Sequence, residues 1–126
     1  MSERLPDTGG FGAVAAYSRA VRNGSFVAVS ATAALEDSVA LHRGDAYRQT
    51  RVALERALAA AHELGAEAAD VIRTRLLLAP DCDWRDAVRA HRETFEHTPP
   101  ANTTYYVGRL IPEGALVEVE LDAIVR

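Results

Sequence analysis

The amino-acid sequence predicts an α+β fold, an open mixed β-sheet with two helices packed on one of its faces. The segments follow the order strand, strand, helix, strand, helix, strand, strand, and such helices bury their apolar sides most simply against one sheet face. Hydrophobic residues make up 48% of the chain and charged residues 25%, which is ordinary for a globular protein. A length of 126 residues suits one domain, so we expect residues 1–126 to fold as a single unit.

The first two predicted strands lie within residues 13–34 and are separated by Asn23-Gly24. This dipeptide is favoured in two-residue type I′ hairpin turns, because both central positions need a positive φ. A turn centred on it pairs Tyr17 with Ser30 across the hairpin. Because side chains alternate along a strand, Arg19 then lies on the same sheet face as these two residues.

A helix, a strand and a second helix are predicted in the middle of the chain. Residues 45–64 carry alanine and leucine at helical spacing and are followed by Gly65, a common helix stop. The segment from Val71 to Leu78, which Ala79-Pro80 follows, predicts a strand. The second helix begins near Asp83, whose side chain can accept hydrogen bonds from the free N–H groups of the first turn, and it ends before Pro99-Pro100.

Two strands near residues 103–110 and 116–125 complete the predicted sheet. In the last strand two sets of residues alternate, so they face opposite sides of the sheet. One set is entirely apolar and suits the face that the helices cover, whereas the other is mostly acidic. The apolar set is Val117, Val119, Leu121, Ala123 and Val125; the other set is Glu118, Glu120, Asp122 and Ile124.

The composition argues against several classes of function. The formal charge is −4 and the basic residues, all of them arginines, are scattered among acids, whereas nucleic-acid binding favours clustered basic residues. No apolar run approaches the roughly 20 residues of a membrane-spanning helix, and the N-terminus lacks the apolar core of a signal peptide. Cys82 has no disulfide partner, and no metal-ligand spacing is present. We therefore expect a cytoplasmic protein without a metal, a nucleic-acid partner or a membrane partner.

Short motifs occur in a characteristic order along nearly the whole chain. They are Ala16-Tyr-Ser18, Val29-Ser-Ala31, Asp70-Val-Ile-Arg-Thr74, Pro100-Ala101 and Glu118-Val-Glu120. Together they resemble the Rid (reactive intermediate deaminase, or YjgF) family. The resemblance implies a fold similar to that of chorismate mutase. It also implies a homotrimer whose uncovered sheet faces meet at the centre, with a small-molecule cleft at each subunit interface.

The resemblance also implies an activity. Active members of the family hydrolyse imines and enamines derived from amino acids, without a cofactor, and release ammonia. By this resemblance Glu120 is the catalytic residue that orients the attacking water, and Tyr17 and Ser30 lie in the cleft. Asn102 stands where the family has an arginine that holds the substrate carboxylate, and an amide offers only neutral donors. We therefore expect an imine or enamine without the usual α-carboxylate, which the protein hydrolyses or tautomerises.

Several residues near this cleft have more than one interpretation. Asn102, Thr103 and Thr104 can bind substrate by donating to a ligand oxygen, or they can make local hydrogen bonds at the start of a strand. His91 lies on the apolar side of the second predicted helix. It can act as a general acid or base at the edge of the cleft, or it can be a partly buried structural residue.

A positive charge for the substrate can come from Arg19 or Arg75 instead of the missing arginine. Surface arginines, however, usually pair with nearby acids and contribute little else.

Two functions other than imine or enamine chemistry remain open. The alternative is a non-catalytic trimer that binds a metabolite or a protein partner. The third function is a ribonuclease, which the acidic balance of the chain disfavours.

Overall fold

The computed structural model describes residues 2–126, which form a mixed six-stranded sheet, a two-stranded hairpin and three α-helices. A single 3₁₀ turn precedes the sixth strand at Ala68–Asp70. The strands are β1 (Ser2–Pro6), β2 (Ser18–Asn23), β3 (Phe26–Thr32), β4 (Leu35–Glu36), β5 (Val39–Ala40), β6 (Val71–Leu78), β7 (Ala101–Tyr106) and β8 (Val117–Ile124), and the helices are α1 (Phe11–Ala15), α2 (Ala46–Glu63) and α3 (Trp84–Phe95).

The order of the six-stranded sheet is β1-β2-β3-β8-β6-β7. All neighbouring strands are antiparallel except β6 and β7, which run parallel. The helices α2 and α3 cover one face of this sheet, and the core lies between them and the alternate residues of the central strands. The predicted fold class, the relative order of β2, β3, α2, β6, α3, β7 and β8, and the placement of both long helices on one face are therefore confirmed.

The alternation predicted for β8 is also present. Val117, Val119, Leu121 and Ala123 are completely buried under the helices, whereas the residues between them are half-buried on the other side. We call this other side the open face, because α2 and α3 leave it uncovered. Glu120 therefore lies on the open face.

The second long helix begins at its predicted capping residue, and the first is capped in the same way. Asp45 accepts a hydrogen bond from the Arg48 N–H at 3.0 Å, and Asp83 accepts one from the Arg85 N–H at 3.0 Å. Each carboxylate satisfies a donor that has no partner within its helix and favours the positive end of the helix dipole. Among residues 2–126, no helix is long and apolar enough to cross a membrane.

The hairpin between β2 and β3 differs from the prediction by two residues in register. Asn23 pairs with Phe26, so the turn consists of Gly24 and Ser25. Only Gly24 has a positive φ, of 62°, which matches a type II′ turn rather than type I′. Because the shift is an even number, each side chain keeps its predicted sheet face, but Tyr17 is not directly opposite Ser30.

Further elements and one boundary differ from the predictions. The N-terminal strand β1, which pairs with β2, the short helix α1 and the hairpin β4–β5 were not predicted, because they carry no clear periodicity in the sequence. Residues 13–15, which the prediction placed in its first strand segment, belong to α1. Strand β7 ends at Tyr106 rather than Leu110, because its partner β6 ends opposite it at Leu78. Beyond that point Val107 makes one last backbone bond, to the Leu78 carbonyl, and β6 has no further backbone to pair.

Candidate functional site

The residues predicted for the site fall into two groups in the structure. The first group lies on the open face and consists of Tyr17, Arg19, Ser30, Thr103 and Glu120. The second group, Asn102 and Thr104, lies on the helix side of β7, the edge strand, because Asn102 is bonded to the buried Thr74. Tyr17 immediately precedes β2, so four strand spacings, or about 19 Å, separate it from β7.

Arg19 is held by a β-bulge in β3. Between Val29 and Thr32 the pairing of β3 with β8 loses its register, which leaves backbone carbonyls without ladder partners. The Nη1 atom of Arg19 donates to the Ala31 carbonyl at 2.7 Å, to the Ser30 carbonyl at 3.3 Å and to the Thr32 hydroxyl at 3.0 Å. Arg19 therefore stabilises the bulge that shapes this part of the open face.

The remaining donors of Arg19 contact two other side chains. Its Nε and Nη2 atoms lie 3.3 Å and 3.0 Å from Asp7 Oδ1, and Nη2 donates to the phenol oxygen of Tyr17 at 2.8 Å. A guanidinium has five N–H donors, and all of them have partners within this chain. Arg19 therefore has no donor left for a substrate carboxylate, and it positions Tyr17.

The pKa values of Asp7 and Tyr17 follow from this network. Burial raises the pKa of Asp7, but hydrogen bonds from the Gly12 N–H and from Arg19 outweigh it and hold that pKa below its usual value. Burial raises the pKa of Tyr17, as does the Asp7 carboxylate, although Arg19 opposes them. Tyr17 is therefore a neutral phenol, and Asp7 is ionised at neutral pH.

Glu120 lies beside a cation on the open face. Its Oε1 atom is 3.3 Å from Nη1 of Arg75, which stands opposite it on β6, and the same nitrogen is 3.6 Å from Asp122 Oδ2. Arg75 therefore pairs with two acids, as surface arginines usually do, and it orients the Glu120 carboxylate. Glu120 remains about one third exposed, so a water molecule or a small ligand can reach it.

Glu118 is a second carboxylate on the same face, two residues before Glu120. Burial raises its pKa, and the nearby charge of Glu120 acts in the same direction, while Arg19 opposes both. The alternation in β8 placed Glu118 on this face, but nothing in the sequence indicated that burial would raise its pKa.

Asn102 and Thr104 belong to a chain of hydrogen bonds that reaches the core. Thr104 Oγ1 donates to Asn102 Oδ1 at 2.8 Å, and Asn102 Nδ2 donates to Thr74 Oγ1 at 3.0 Å. Thr74 is fully buried, and its hydroxyl oxygen lies 2.7 Å from Nε2 of His91 on α3. The His91 ring also packs against Phe95, with ring centroids 4.8 Å apart. His91 thus supports Asn102 from inside the protein.

Sequence reasoning missed Thr74 and Asp7. A threonine on the buried face of an apolar strand is a signal for Thr74, but a bulge near Ile72 breaks the alternation that would reveal that face. For Asp7 the sequence holds no signal, since its partners follow from the fold of β1 and α1. Among residues 2–126, no three His, Cys, Asp or Glu side chains are grouped to hold a metal ion.

Stability should depend on the protonation of His91. Burial lowers its pKa below the value of about 6.5 in an unfolded chain. Between those two pKa values the unfolded chain binds more protons, so the free energy of unfolding should fall as the pH drops below about 6.5. Denaturant titrations at a series of pH values from about 7 to about 5 measure this dependence.

Two glutamine variants identify the source of this pH dependence. His91→Gln should reduce the slope, whereas His97→Gln, at a histidine whose side chain is 93% exposed, should leave it unchanged. An equal slope in wild type and His91→Gln would show that another group is responsible.

Comparisons with known proteins cover nearly the whole chain. The family model described as Endoribonuclease L-PSP matches residues 9–125. An uncharacterised protein of Streptomyces coelicolor is 38% identical over 107 residues, which are 85% of this chain and 80% of that protein. A RutC family protein of Sinorhizobium fredii is 29% identical over 110 residues, or 86% of each chain.

A solved structure matches the fold closely. It is the crystal structure of a Mycobacterium tuberculosis protein described as a member of the YjgF/YER057c/UK114 family. The TM-score is 0.88 at 35% sequence identity, and the match covers 99% of this chain and 100% of that chain. A Yersinia pestis member of the Rid family has the same fold, with a TM-score of 0.84 at 23% identity over 99% of this chain and 100% of that chain.

Proposed function

Because this chain belongs to the Rid/YjgF family, whose sequence model is described as Endoribonuclease L-PSP, we propose that it hydrolyses neutral imines or enamines in clefts between the subunits of a homotrimer. The substrate is a small molecule without an α-carboxylate, because Asn102 directs its amide N–H to Thr74 and Arg19 has no free donor.

The separation of the two groups of site residues carries this proposal. Tyr17 and Asn102 lie about 19 Å apart across the sheet, on opposite faces, so no single small molecule touches both in one subunit. They meet a common ligand when the open face of one subunit adjoins the β7 edge of its neighbour. The cleft is therefore complete only in an oligomer.

The open face itself supports association. Two cross-strand pairs on it are apolar, Phe26 with Ile124 and Val21 with Ala28, and Phe26 is 42% exposed. Apolar surface of this kind favours burial against another copy of the chain. In the trimer these pairs lie at the interface.

Glu120 acts as the general base in the proposed reaction. It accepts a proton from water, whose oxygen forms a bond to the imine carbon, and the proton is then delivered to the nitrogen. The carbon–nitrogen bond breaks, so that an imine and water give a carbonyl compound and ammonia. The imine carbon is already electrophilic, so the step needs no cofactor. Arg75 holds the carboxylate in place, and Tyr17 presents a neutral phenol on the same open face.

A ribonuclease function has less support from the chain. Its formal charge is −4, and the arginine nearest Glu120, Arg75, is already paired with two carboxylates. Phosphate backbones are bound mainly by unpaired, clustered cations. Ammonia release is therefore the activity to measure.

Mixed trimers test whether the cleft is shared between subunits. Glu120→Gln changes the open face and Asn102→Ala changes the β7 edge, so each variant alone should have little activity. Suppose that each cleft takes Glu120 from one subunit and Asn102 from its neighbour. In a refolded equimolar mixture of the two variants, about one cleft in four then contains both intact groups. The mixture should therefore recover about one quarter of the wild-type rate. Ammonia release from imines generated in solution measures this rate.

Two results would contradict the proposal. A mixture no more active than the separate variants would show that no cleft combines the two groups from neighbouring subunits. A single-chain mass by light scattering at micromolar concentration would remove the trimer altogether. A refolded wild-type sample controls for losses during mixing.

A further inference from the structure

A groove runs along the edge strand β7, between it and α3. Its volume is about 370 Å³, which is enough for a small organic molecule. We call it the edge groove; it is lined by Leu78, Trp84, Val88, Asn102, Thr104, Tyr105 and Tyr106. No charged side chain lines the edge groove in the part of the chain that the structure describes, residues 2–126. Its polar side chains are Asn102 and Thr104, and Trp84, Tyr105 and Tyr106 each carry one polar group on an aromatic ring. The Tyr106 hydroxyl donates to the Cys82 carbonyl.

The orientation of the Asn102 amide fixes which groups donate and which accept in the hydrogen bonds behind this groove. The Nδ2 atom that faces Thr74 lies 3.0 Å from its hydroxyl oxygen and 3.5 Å from its backbone carbonyl oxygen. A carbonyl oxygen only accepts, so the amide nitrogen rather than the amide oxygen belongs at this position. The amide oxygen of Asn102 therefore points towards Thr104 and accepts its proton at 2.8 Å.

The same direction continues into the core. Thr74 accepts from Asn102, and its own proton needs an acceptor because the residue is fully buried. The Nε2 atom of His91 at 2.7 Å is that acceptor, which places the histidine proton on Nδ1. Burial lowers the pKa of His91, so its ring is neutral and able to accept at neutral pH. Each hydrogen bond in this series is thus donated towards the core, from Thr104 to Asn102, from Asn102 to Thr74 and from Thr74 to His91.

At its groove end, the series of hydrogen bonds from Thr104 to His91 presents only an acceptor. The single hydroxyl proton of Thr104 is given to Asn102, so the oxygen of Thr104 offers a ligand only its remaining lone pairs. At Thr104 itself a ligand acceptor meets no donor, whereas a ligand N–H or O–H group meets an acceptor. The surrounding walls are aromatic or aliphatic, and Trp84 is 46% exposed, so they favour an apolar or aromatic body.

We propose that the edge groove selects neutral, apolar ligands that present an N–H group to Thr104, and that the substrate is an N–H ketimine with aromatic or aliphatic substituents. This inference rests on the function proposed above and names its substrate class. In hydrolysis the N–H group binds Thr104, the water oxygen bonds to the imine carbon, and the nitrogen leaves as ammonia after gaining two protons from that water. No oxidant or reductant takes part.

Binding and turnover are measured separately so that the two proposals fail independently. For binding, the probes are indole and benzofuran, which have nearly the same shape but differ in one N–H group. Trp84 is the one tryptophan of the chain, so its side-chain N–H gives a single resonance in a ¹⁵N-correlated NMR spectrum. Titration of that resonance gives the affinity of each probe.

The expected result is that indole binds about fivefold more tightly than benzofuran, the factor of one neutral hydrogen bond. Thr104→Val keeps the shape of the groove but removes the acceptor, so the preference should disappear. The control Thr94→Val removes a hydroxyl on α3 that bonds to the Ala90 carbonyl, outside the groove, and should keep the preference. Equal affinities in wild type, a preference that survives Thr104→Val, or no shift with either probe would overturn the inference.

His91 is a positioning residue in this proposal, and its replacement has a distinct effect. His91→Phe removes the acceptor of the Thr74 proton. The hydrogen bonds of Thr74, Asn102 and Thr104 are then no longer held in one donor direction. The preference for indole should fall, although no groove residue has changed, and His91→Gln, whose side-chain oxygen accepts, should restore it. Loss of the preference in both variants would show that His91 has a structural role only.

For turnover, the substrate is benzophenone imine, and the appearance of benzophenone is compared with the uncatalysed rate. Indole preference without acceleration would support the selectivity of the groove and contradict the imine hydrolysis. Acceleration without indole preference would support the hydrolysis and contradict the role of Thr104.

Discussion

Replacement of Glu120 by glutamine should lower the kcat of imine hydrolysis about 100-fold or more, because a general base of this kind contributes roughly 10² to 10⁴ in rate. Glutamine keeps the size of the side chain and a hydrogen bond to Arg75, but it does not accept a proton from water. The KM should change little, since substrate binding is assigned to other groups. Steady-state ammonia release with wild type and Glu120→Gln measures both constants.

A neighbouring carboxylate provides the matched control. Asp122 lies on the same face of the same strand and also contacts Arg75, at 3.6 Å. Asp122→Asn should therefore leave kcat within a few-fold of wild type. A similar loss of kcat in both variants would indicate that the rate depends on the position of Arg75 rather than on the Glu120 carboxylate. A Glu120→Gln variant with unchanged turnover would contradict its catalytic role. If wild type binds a ligand without turnover and Glu120→Gln keeps the affinity, the protein is a binding module.

Replacement of Arg19 by methionine should have the largest effect on stability, a loss of about 3 kcal/mol in the free energy of unfolding. The side chains of Arg19 and Asp7 are only 19% and 9% exposed. Methionine fills the space but leaves the Asp7 carboxylate and the carbonyls of Ser30 and Ala31 without these donors. Denaturant unfolding followed by circular dichroism measures the loss.

Two variants separate the charge of Arg19 from its geometry. Arg19→Lys keeps the charge but has three donors on one nitrogen, so it should recover only part of the stability. Arg4→Met, on the exposed edge strand β1, should change the free energy of unfolding by less than about 0.5 kcal/mol. If Arg19→Met is as stable as wild type and only weakens ligand binding, Arg19 contacts the substrate as the sequence analysis first suggested.

The fold could be predicted because its signals are local and repeated. The helix α2 follows from alanine and leucine spacing between Asp45 and Gly65, and β8 follows from strict alternation. The hairpin register could not be predicted as reliably. Asn23-Gly24 and Gly24-Ser25 are both acceptable turns, and the pairing of β3 with β8 and of β2 with β1 decides between them.

The site was predictable only as a set of residue types. Sequence placed Tyr17, Arg19, Ser30 and Glu120 on one sheet face, and the structure agrees with that face because the register shift is even. It did not indicate that Arg19 would be fully engaged by a bulge. A bulge depends on how two strands distant in sequence pair, and periodicity within either strand does not show it.

The sequence by itself determined the two long helices, the strands β2, β3, β6, β7 and β8, the residue faces of β2, β3 and β8, and the family, because these depend on spacing along the chain and on motifs in order. Only the tertiary structure decided which groups are satisfied and which are available. It brought Asp7 to Arg19, Arg75 to Glu120, and His91 through Thr74 to Asn102. These contacts join residues far apart in the chain, and their hydrogen-bond direction depends on burial and on the neighbouring acceptors.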